Sequence, residues 1–320
     1  MSHHIIEYRG VRHTYPDGTE ALRGVTFTIT HGESVGIVGA NGSGKTTILL
    51  HANGHLLADS GEVSIGHTPI TAKNRREIRK RVGMVFQDPD DQLFMPRVLD
   101  DAAFGPLNLG MSGADARTLA MNALSRVGAS HLASRHPHNL SGGQKRAVAI
   151  ASVIAMDPDI LIMDEPASNL DPKARRRLIE LLNGFEHTKI IASHDLDLIL
   201  DACDRCIIIG DGIVRADGPA ADILTSKELL EANNLELPLS MQREAGGKPK
   251  GDGKMDDMAK LAHRISHWLE HNEEHAGTYA EWAGKAREMG KADLAEVLDE
   301  IAAETRTISG LFEKALRLAS

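Results

Sequence analysis

Residues 39–47 read Gly-Ala-Asn-Gly-Ser-Gly-Lys-Thr-Thr, and this stretch decides the fold. A glycine, four residues and then Gly-Lys-Thr form the pattern of a phosphate-binding loop. Residues 34–38 before it are apolar and rich in β-branched side chains, as in a buried strand, and residues 48–53 after it are typical of a helix. Since strand, loop and helix in this order are the context that the pattern requires, the stretch predicts a nucleotide site.

The residue types of this loop suit a bound phosphate. Glycine lets backbone N–H groups turn inward around the anion without Cβ clashes, and the helix N-terminus adds partial positive charge. Lys45 is predicted to reach the β- and γ-phosphates, and the Thr46 hydroxyl to bind Mg²⁺. The predicted nucleotide-binding residues of the loop are Gly39, Asn41, Gly42, Ser43, Gly44, Lys45, Thr46 and Thr47.

Composition narrows the class of protein. The chain has 320 residues and is 42% hydrophobic, which allows one large domain and a smaller one. The N-terminus lacks the order of a signal peptide and no apolar run is long enough for a membrane span, so we expect a cytoplasmic protein. The net charge of −9 argues against nucleic acid as a partner. We expect Cys203 and Cys206 to be buried strand cysteines rather than a redox or metal-binding motif.

Three predicted strands are each followed by polar side chains. Asp164 and Glu165 end the first, Gln87 follows the second and His194 follows the third. Because α/β ligands bind at the carboxyl ends of parallel strands, we expect these residues to meet at one edge of the sheet. The alternative of a solvated acidic turn does not explain why a hydrophobic strand ends at both carboxylates. For His194 taken alone, a structural histidine would be the more common interpretation.

Two further positions are candidates for ligand contact. Residues 140–144 read Leu-Ser-Gly-Gly-Gln and begin a helix whose N-cap is Ser141, so that the helix N-terminus faces a potential anion. Tyr15 precedes a turn at residues 16–18 between two antiparallel strands. It is either a surface aromatic residue or a ring that stacks on a purine. Residues 88–113 are rich in Asp, Pro and Gly, and helical patterns resume at about residue 114.

Together these motifs resemble the ATP-binding cassette (ABC) ATPases over about residues 5–240. Residues 140–144 are the signature of that family, and few other nucleotide-binding families carry it. The resemblance implies an α/β fold of the ABC type, with a mixed sheet core, an antiparallel β subdomain and a helical subdomain. It also implies ATP hydrolysis with Mg²⁺.

The resemblance assigns roles to the polar residues. It implies that Glu165 is the general base for the attacking water and that Asp164 holds Mg²⁺ through water. Tyr15 stacks on adenine, Gln87 senses Mg²⁺ and the water, and His194 contacts the γ-phosphate. The catalytic residues implied are therefore Glu165, His194 and Gln87, and the Mg²⁺ residues are Thr46, Gln87 and Asp164.

Pairing of two cassettes follows from the same resemblance. In this family the signature segment of a second subunit closes over the phosphate loop, here through Ser141, Gly142, Gly143 and Gln144. Asp171 lies in the loop that faces the opposite subunit. Asn169 departs from the family, which usually has a small residue there. We therefore expect a homodimer or a pair of cassette subunits, in which two ATP molecules are held and hydrolysis loosens the contact.

A narrower resemblance indicates the transport system. Residues 82–94, 101–106 and 229–238 are similar to the ATPases of energy-coupling-factor importers, in particular those for nickel and cobalt. This implies integral membrane subunits as partners and a peripheral position on the cytoplasmic face of the cell membrane. Vitamin importers share most of these motifs. A soluble ABC ATPase of DNA repair or translation usually carries two cassettes or a long coiled-coil insertion, and neither is present.

The C-terminal part differs from the cassette. We expect the nucleotide-binding domain to cover residues 1–242, with an extension from about residue 220, followed by a linker at 243–254. In residues 255–320 two helical stripes predict a hairpin or small bundle, joined at Gly290. The stripes are Leu261, Trp268, His275, Tyr279, Trp282 and Met289, then Leu294, Leu298, Ile301, Thr305, Ile308, Phe312 and Ala315.

Four histidines recur at every fourth residue of the first of these helices: His263, His267, His271 and His275. Neighbours at this spacing share a helix face, but a drift of about 40° a step prevents all four from sharing one metal. We expect His271 and His275 to lie on the side of the two tryptophans, toward the partner helix. They could bind Ni²⁺ or Co²⁺ and damp ATP hydrolysis; a polar face with two packed histidines is an equal alternative.

Overall fold

The fold is taken from a computed structural model, which describes residues 4–168, 170–245 and 257–319. Its contacts divide the chain into two units, residues 1–247 and 248–320. The first unit has the strands β1 (His4–Thr14), β2 (Glu20–Thr30), β3 (Ser34–Val38), β4 (Ser60–Ile65), β5 (Thr68–Pro69), β6 (Val82–Val85), β7 (Ile160–Asp164), β8 (Thr188–Ala192), β9 (Arg205–Gly210) and β10 (Ile213–Pro219). Its helices are α1 (Lys45–Ala52), α2 (Arg75–Arg81), α3 (Val98–Asn108), α4 (Gly113–Arg126), α5 (Gly142–Ile154), α6 (Pro172–Asn183), α7 (Leu196–Ala202), α8 (Ala220–Thr225), α9 (Lys227–Glu231) and α10 (Leu239–Ala245).

The strands form two sheets. A six-stranded sheet has the order β10-β9-β3-β8-β7-β6, and its strands are parallel except for the edge strand β10. A four-stranded antiparallel sheet has the order β2-β1-β4-β5. Strands β3 and β7 are buried along their whole length, which explains their unbroken apolar sequences. The predicted mixed sheet core and antiparallel β subdomain are confirmed.

Alternate residues of the parallel strands face two separate cores. Ile160 and Ile162 of β7 join a core with the antiparallel sheet and α1, whereas Leu161 and Met163 join a core with α3 to α8. The period of two along a strand produces this division, because successive side chains point to opposite faces. The buried Tyr8 hydroxyl of β1 donates to the Ile48 carbonyl of α1 over 2.6 Å, which ties the antiparallel sheet to the helix after the phosphate loop.

The helical subdomain contains one helix that the sequence patterns missed. Helix α3 lies inside the Asp-, Pro- and Gly-rich stretch 88–113, where we expected no helix before residue 114. Val98, Ala102 and Ala103 form its buried face. A Cβ at Gly105 would lie 2.4 Å from the Met156 side chain, so this glycine permits close packing rather than a turn. Burial of the apolar face outweighs the poor helix propensity of Gly and Pro.

The cysteines are buried as predicted, but only Cys206 lies in a strand, β9, whereas Cys203 follows the end of α7. Cys203 and Cys206 are buried, and burial raises the pKa of each thiol to about 12. The reactive form of a cysteine is the thiolate, and these side chains stay protonated at neutral pH. They contribute to packing of β9 and the segment before it.

The second unit is a hairpin of α11 (Asp257–Glu288) and α12 (Ala292–Ala319). Gly290, with a φ of 73°, lies in the turn as expected. The two helices meet through small residues, and Asn272 donates to the Thr305 carbonyl over 2.6 Å and to Ser309 Oγ over 3.0 Å. The buried side chains described at this contact are Ile265, Ala276, Ala283, Ala286, Ala295, Ala302 and Ser309.

The predicted packing stripes of the hairpin are partly wrong. Trp282 and Met289 are 52% and 71% exposed instead of lying against the partner helix. Leu294, Ile301 and Ile308 are exposed as well, although they were expected in the contact. Alanines form the close contact between the helices, whereas the prediction from hydrophobic periodicity gave more weight to larger apolar residues.

Candidate functional site

The predicted polar residues meet at one edge of the six-stranded sheet. The phosphate loop follows β3, and Asp164, Gln87 and His194 end or follow the neighbouring strands β7, β6 and β8. A cavity of about 440 Å³ opens at this edge. Its lining contains the predicted residues Tyr15, Asn41, Gly42, Ser43, Gly44, Lys45, Thr46, Thr47, Gln87, Asp164 and Glu165.

The glycines of the loop are required by close approach of other backbone. A Cβ at Gly39 would lie 2.2 Å from the Ile209 carbonyl oxygen, and one at Gly44 would lie 2.8 Å from the Ala21 carbonyl oxygen. Gly44 also has a φ of 107°, in the left-handed region that favours glycine. The loop is therefore held against β2 and β9, with its inner side toward the cavity.

Lys45 is the buried cation of the loop. Its ammonium donates to the carbonyl oxygens of Gly39 and Ala40 over 2.7 and 3.1 Å, and the residue is 7% exposed. Burial lowers the pKa of Lys45, while the carboxylates of Glu165 and Asp164 act in the opposite direction. A buried ammonium at the rim of a ring of backbone N–H groups is arranged to receive phosphate oxygens.

The surroundings of Asp164 fit a magnesium ion. Among the described residues, Asp164 Oδ1 and Ser43 Oγ are buried without a hydrogen-bond partner. Burial raises the pKa of Asp164, and a hydrogen bond from the Thr46 hydroxyl opposes that rise. A carboxylate oxygen, a hydroxyl and the Gln87 amide in one cavity are the oxygen donors that Mg²⁺ prefers. These residues could hold the ion together with phosphate oxygens and water.

Glu165 is held by three groups at the end of β8. Its Oε1 accepts a hydrogen bond from the backbone N–H of His194 over 3.0 Å, and its Oε2 accepts one from the Ser193 hydroxyl over 3.1 Å. His194 Nδ1 lies 2.8 Å from the same Oε2. The hydrogen bond to Glu165 raises the pKa of the His194 imidazole. A carboxylate fixed in this way can accept a proton, and the titratable imidazole beside it can position a bound phosphate.

The backbone of Glu165 was not predicted from sequence. Its φ is 46°, which is uncommon for a residue with a Cβ and costs about 1 kcal/mol or more. The Glu165 N–H donates to the Ala192 carbonyl over 2.9 Å, so the strained residue is tied to β8. This conformation turns the carboxylate from the line of β7 toward His194.

The signature segment lies at another cavity. Ser141, Gly143, Gln144 and Asp171 line a cavity of about 260 Å³, apart from the cavity of the phosphate loop. Ser141 is the N-cap of α5, as predicted, and forms a reciprocal capping box with Gln144. The Asp171 carboxylate caps α6 by accepting hydrogen bonds from the N–H groups of Lys173 and Ala174. One chain therefore presents the two halves of the predicted site separately.

Two other residues singled out in the sequence lie in the same stretches of chain. Gly142 is exposed, and Asn169 lies outside the described residues.

Tyr15 stands at the rim of the loop cavity. Its hydroxyl lies 3.1 Å from Thr47 Oγ1, and its ring meets the buried His13 ring edge-on at a centroid distance of 5.0 Å. The residue is half-buried, so one part of the ring stays accessible. Tyr15 therefore lines the loop cavity, and its stacking on a base stays a prediction.

Arg146 of α5 is a residue whose role the sequence analysis did not find. It is 3% exposed and donates to the Phe86 carbonyl over 2.7 Å and to the Gln87 carbonyl by a shorter contact. Burial lowers the pKa of its guanidinium, which the nearby carboxylates counteract. Lys145 pairs with Asp90 over 2.6 Å. The signature helix α5 thus holds the backbone at Gln87. The sequence signal that could have indicated this contact is the pair Lys145-Arg146 directly after Gln144.

We expect Arg146→Met to lower the free energy of unfolding of the first unit by about 2–4 kcal/mol, because two buried carbonyls lose a charged donor. Chemical unfolding followed by circular dichroism measures the change. Arg117→Met on the exposed face of α4 is the control and should stay within about 0.5 kcal/mol of the parent. Equal stability of the Arg146 variant and the parent would show that the contact does not hold this segment.

The histidines of α11 stay a prediction. The side chains of His271 and His275 lie outside the described part of the structure, as do those of His263 and His267. Their placement toward the partner helix was inferred from Trp268 and Trp282, of which Trp282 is exposed and the side chain of Trp268 lies outside the described part. Among the described residues, no group of three or more His, Cys, Asp and Glu side chains is arranged to hold a metal ion.

Comparisons with known proteins agree with the geometry. A family profile described as "ABC transporter" matches residues 22–168, and one described as "Domain of unknown function (DUF8180)" matches residues 261–319. An ABC transporter ATP-binding protein of Geobacter sulfurreducens is 58% identical over 242 residues, which cover 76% of this chain and 97% of the relative. The energy-coupling factor transporter ATP-binding protein EcfA of Methanosphaera stadtmanae is 44% identical over 239 residues, which cover 73% of this chain and 86% of that protein.

A solved structure gives the same result. The cbiO1 protein of Clostridium perfringens, described as part of the ABC transporter complex cbiONQ, has a TM-score of 0.64 to this chain. It is 36% identical in sequence, and the match covers 76% of this chain and 99% of cbiO1. The fold of the first unit is therefore shared with this cassette protein.

Proposed function

We propose that this chain, which belongs to the ABC transporter ATP-binding proteins, energises an energy-coupling-factor importer for nickel or cobalt. Hydrolysis of ATP is the activity of its family. The finer proposal is supported by relatives named EcfA and by the likeness to cbiO1. The single observation that carries the transport role is an exposed apolar surface that is connected to the loop cavity through Gln87.

That surface lies on the segment after Gln87 and on the helices that follow it. The rings of Phe94 and Phe104 meet edge-on at 4.9 Å, although the two residues are 62% and 40% exposed. Leu107, Met111 and Met121 are exposed as well. Apolar side chains in such a cluster are typical of a protein contact surface. No helix of the described residues is long and apolar enough to cross a membrane, so the proposal needs separate membrane subunits.

The connection to the ATP site is short and rigid. Gln92 Nε2 donates to the Ala149 carbonyl of α5 over 2.7 Å and to Ser152 Oγ over 2.8 Å. Asp101 of α3 accepts the N–H groups of Phe94 and Met95. Since Arg146 of the same α5 holds the Gln87 backbone, a shift of Gln87 at the nucleotide moves the apolar surface with it. This is the path by which ATP binding acts on a membrane partner.

In hydrolysis each residue acts at a stated atom. Lys45 and the loop N–H groups bind the β- and γ-phosphates, and Glu165 accepts the proton of the attacking water. His194 positions the Glu165 carboxylate and the γ-phosphate. Mg²⁺, which Thr46, Asp164 and Gln87 would hold, supplies charge neutralisation on the phosphate oxygens. Ser141 and Gly143 of a second copy cover the γ-phosphate, because these residues do not reach the loop cavity of their own chain.

Two alternatives remain. A vitamin importer of the same type would use the same cassette, since the ATPase does not contact the solute. A soluble ABC ATPase would have no use for the apolar surface at Phe94 and Phe104. That surface favours a transporter over the soluble class.

Uptake in cells tests the proposal. Cells of the source organism that lack this chain should accumulate less radioactive nickel or cobalt, and the parent chain should restore uptake whereas Glu165→Gln should not. Loss of vitamin uptake with unchanged metal uptake would assign the vitamin class. No change in either would contradict a transport role. Phe94→Asp should also fail to restore uptake although the purified variant binds ATP, because Phe94 lies outside the loop cavity.

A further inference from the structure

Helix α12 carries two apolar stripes, and only one of them packs on α11. Ala295, Ala302 and Ser309 are 1%, 1% and 7% exposed and lie at the contact inside the hairpin. A second stripe, called the outer stripe, runs along the neighbouring face, and all its large apolar residues are at least 41% exposed. These are Leu294, Val297, Ile301, Ile308, Leu311 and Leu318. A whole helix length of aliphatic side chains is thus presented without packing inside its own hairpin.

The outer stripe has the period of a helix that packs on another helix. From Leu294 to Leu318 its positions alternate by three and four residues, with Glu304 and Ala315 at the intervening places. This is an a/d heptad pattern sustained for about three and a half heptads, or about 36 Å of helix. Scattered apolar residues on a solvated surface do not keep such a register. The centres of the two stripes lie about 130° apart around the helix, as in a helix with two neighbours in a bundle.

The charges along α12 identify the direction of a partner helix. The charged residues of its first half are all acidic: Asp293, Glu296, Asp299, Glu300 and Glu304. Those of its second half are mainly basic: Arg306, Glu313, Lys314 and Arg317. An antiparallel α12 of a second copy would place its basic half against the acidic half of the first. A parallel α12 would place halves of like charge together.

The helix dipole explains only part of this separation. Acidic residues at an N-terminus and basic residues at a C-terminus are favourable in any helix, but the effect is confined to about the first and last turn. Glu300 and Glu304 lie beyond the first turn of α12, which begins at Ala292. Asp299 already pairs with Arg287 of α11, and Arg317 pairs with Glu313. Among the described residues no ion pair involves Glu300, Glu304 or Lys314, so these charges can pair with a second copy.

We infer that the outer stripe binds the outer stripe of a second copy of this chain, antiparallel across a twofold axis. Two hairpins then form a four-helix bundle through an isologous contact. Leu294 meets the region of Leu318 of the other copy, and Ile301 meets that of Leu311. Glu300 comes near Lys314. Near the axis Glu304 faces Ile308, so a carboxylate weakens the middle layer and keeps the association reversible.

This contact is distinct from the pairing of cassettes over ATP. It uses residues of the second unit alone, whereas the pairing over ATP uses residues of the first unit. The inference therefore does not rest on the proposed transport role. It predicts that two chains stay together when ATP is absent and the two cassettes are apart.

Sedimentation velocity of the full chain, without nucleotide or Mg²⁺, tests the inference over a range of protein concentrations. We expect a dimer in equilibrium with monomer. Ile308→Glu should shift the chain to monomer, because it places a charge in the middle layer. Ala303→Glu introduces the same residue at an exposed position off the outer stripe and should leave the dimer unchanged. Glu304→Leu should tighten the dimer by at least tenfold in dissociation constant, since it fills the same layer.

Three results would overturn the inference: a monomer at every concentration with both the parent and Glu304→Leu, a dimer that forms only with ATP, or a dimer equally stable in Ile308→Glu. The first would mean that the outer stripe is covered by another part of the same chain. Helix content by circular dichroism should match the parent in each variant. The gain expected of Glu304→Leu keeps the test decisive even if Ile308→Glu lowers the stability of the hairpin.

Discussion

Glu165→Gln is expected to lower the rate of ATP hydrolysis about a hundredfold or more while ATP still binds. The amide keeps the size of the side chain, and its oxygen can still accept the hydrogen bond from the backbone N–H of His194. It cannot take a proton from water. A general base contributes about 10²- to 10⁴-fold to a rate. Phosphate release measured at saturating ATP, with binding measured by calorimetry, separates the two effects.

The matched control is Glu186→Gln, on the exposed turn between α6 and β8, which should hydrolyse ATP at the parent rate. A second readout is the imidazole of His194. The Glu165 carboxylate raises the His194 pKa, so the protonated pair is present at low pH and is lost as the pH rises through that pKa. In Glu165→Gln the pKa of His194, followed by NMR, should fall toward the ordinary value. Parent-like hydrolysis in this variant would remove Glu165 from the role of base.

Lys45→Met is expected to weaken ATP binding by about 30-fold to 4,000-fold, which corresponds to about 2–5 kcal/mol for a desolvated charge pair. Methionine fills the same space but offers no donor to the phosphates. It also leaves the carbonyls of Gly39 and Ala40 without the hydrogen bonds that the ammonium supplies. Fluorescent-nucleotide titration measures the dissociation constant.

The exposed Lys73→Met is the control for this variant and should bind ATP as the parent does. A far smaller loss in Lys45→Met than expected would mean that the loop N–H groups bind the phosphates without the ammonium. A loss of the same size for AMP would point to damage of the loop, because AMP has no β- or γ-phosphate for Lys45 to bind.

The position of the site at the carboxyl ends of the parallel strands could be predicted because local patterns carry it. A buried strand before the phosphate loop and apolar strands ending at Asp164 and Gln87 place these residues at one sheet edge whatever the rest of the chain does. The general assignment to ABC ATP-binding proteins needed only the loop and the signature. Separation of the two within one chain also follows from the resemblance.

The parts that could not be predicted depend on tertiary contacts. The left-handed backbone of Glu165 is stabilised by β8, and the buried position of Arg146 is stabilised by carbonyls 59 and 60 residues away in sequence. Nothing in the residues next to them indicates either contact. Helix α3 forms because its alanine face is buried, in spite of unfavourable composition. In α12 Leu294, Ile301 and Ile308 of the predicted stripe proved to be on the exposed face, and the buried positions are occupied by two alanines and Ser309.

The location of the signature segment and the phosphate loop at separate cavities has a genetic consequence. A chain defective at Lys45 still offers an intact signature, and a chain defective at Ser141 still offers an intact loop. If two copies of this chain pair as proposed, a mixed pair made in one cell joins the two intact halves into one working site, and the two mutations should complement each other although they lie in one gene. Two mutations within the same half leave no such pair. Complementation therefore maps which residues act in cis and which act in trans.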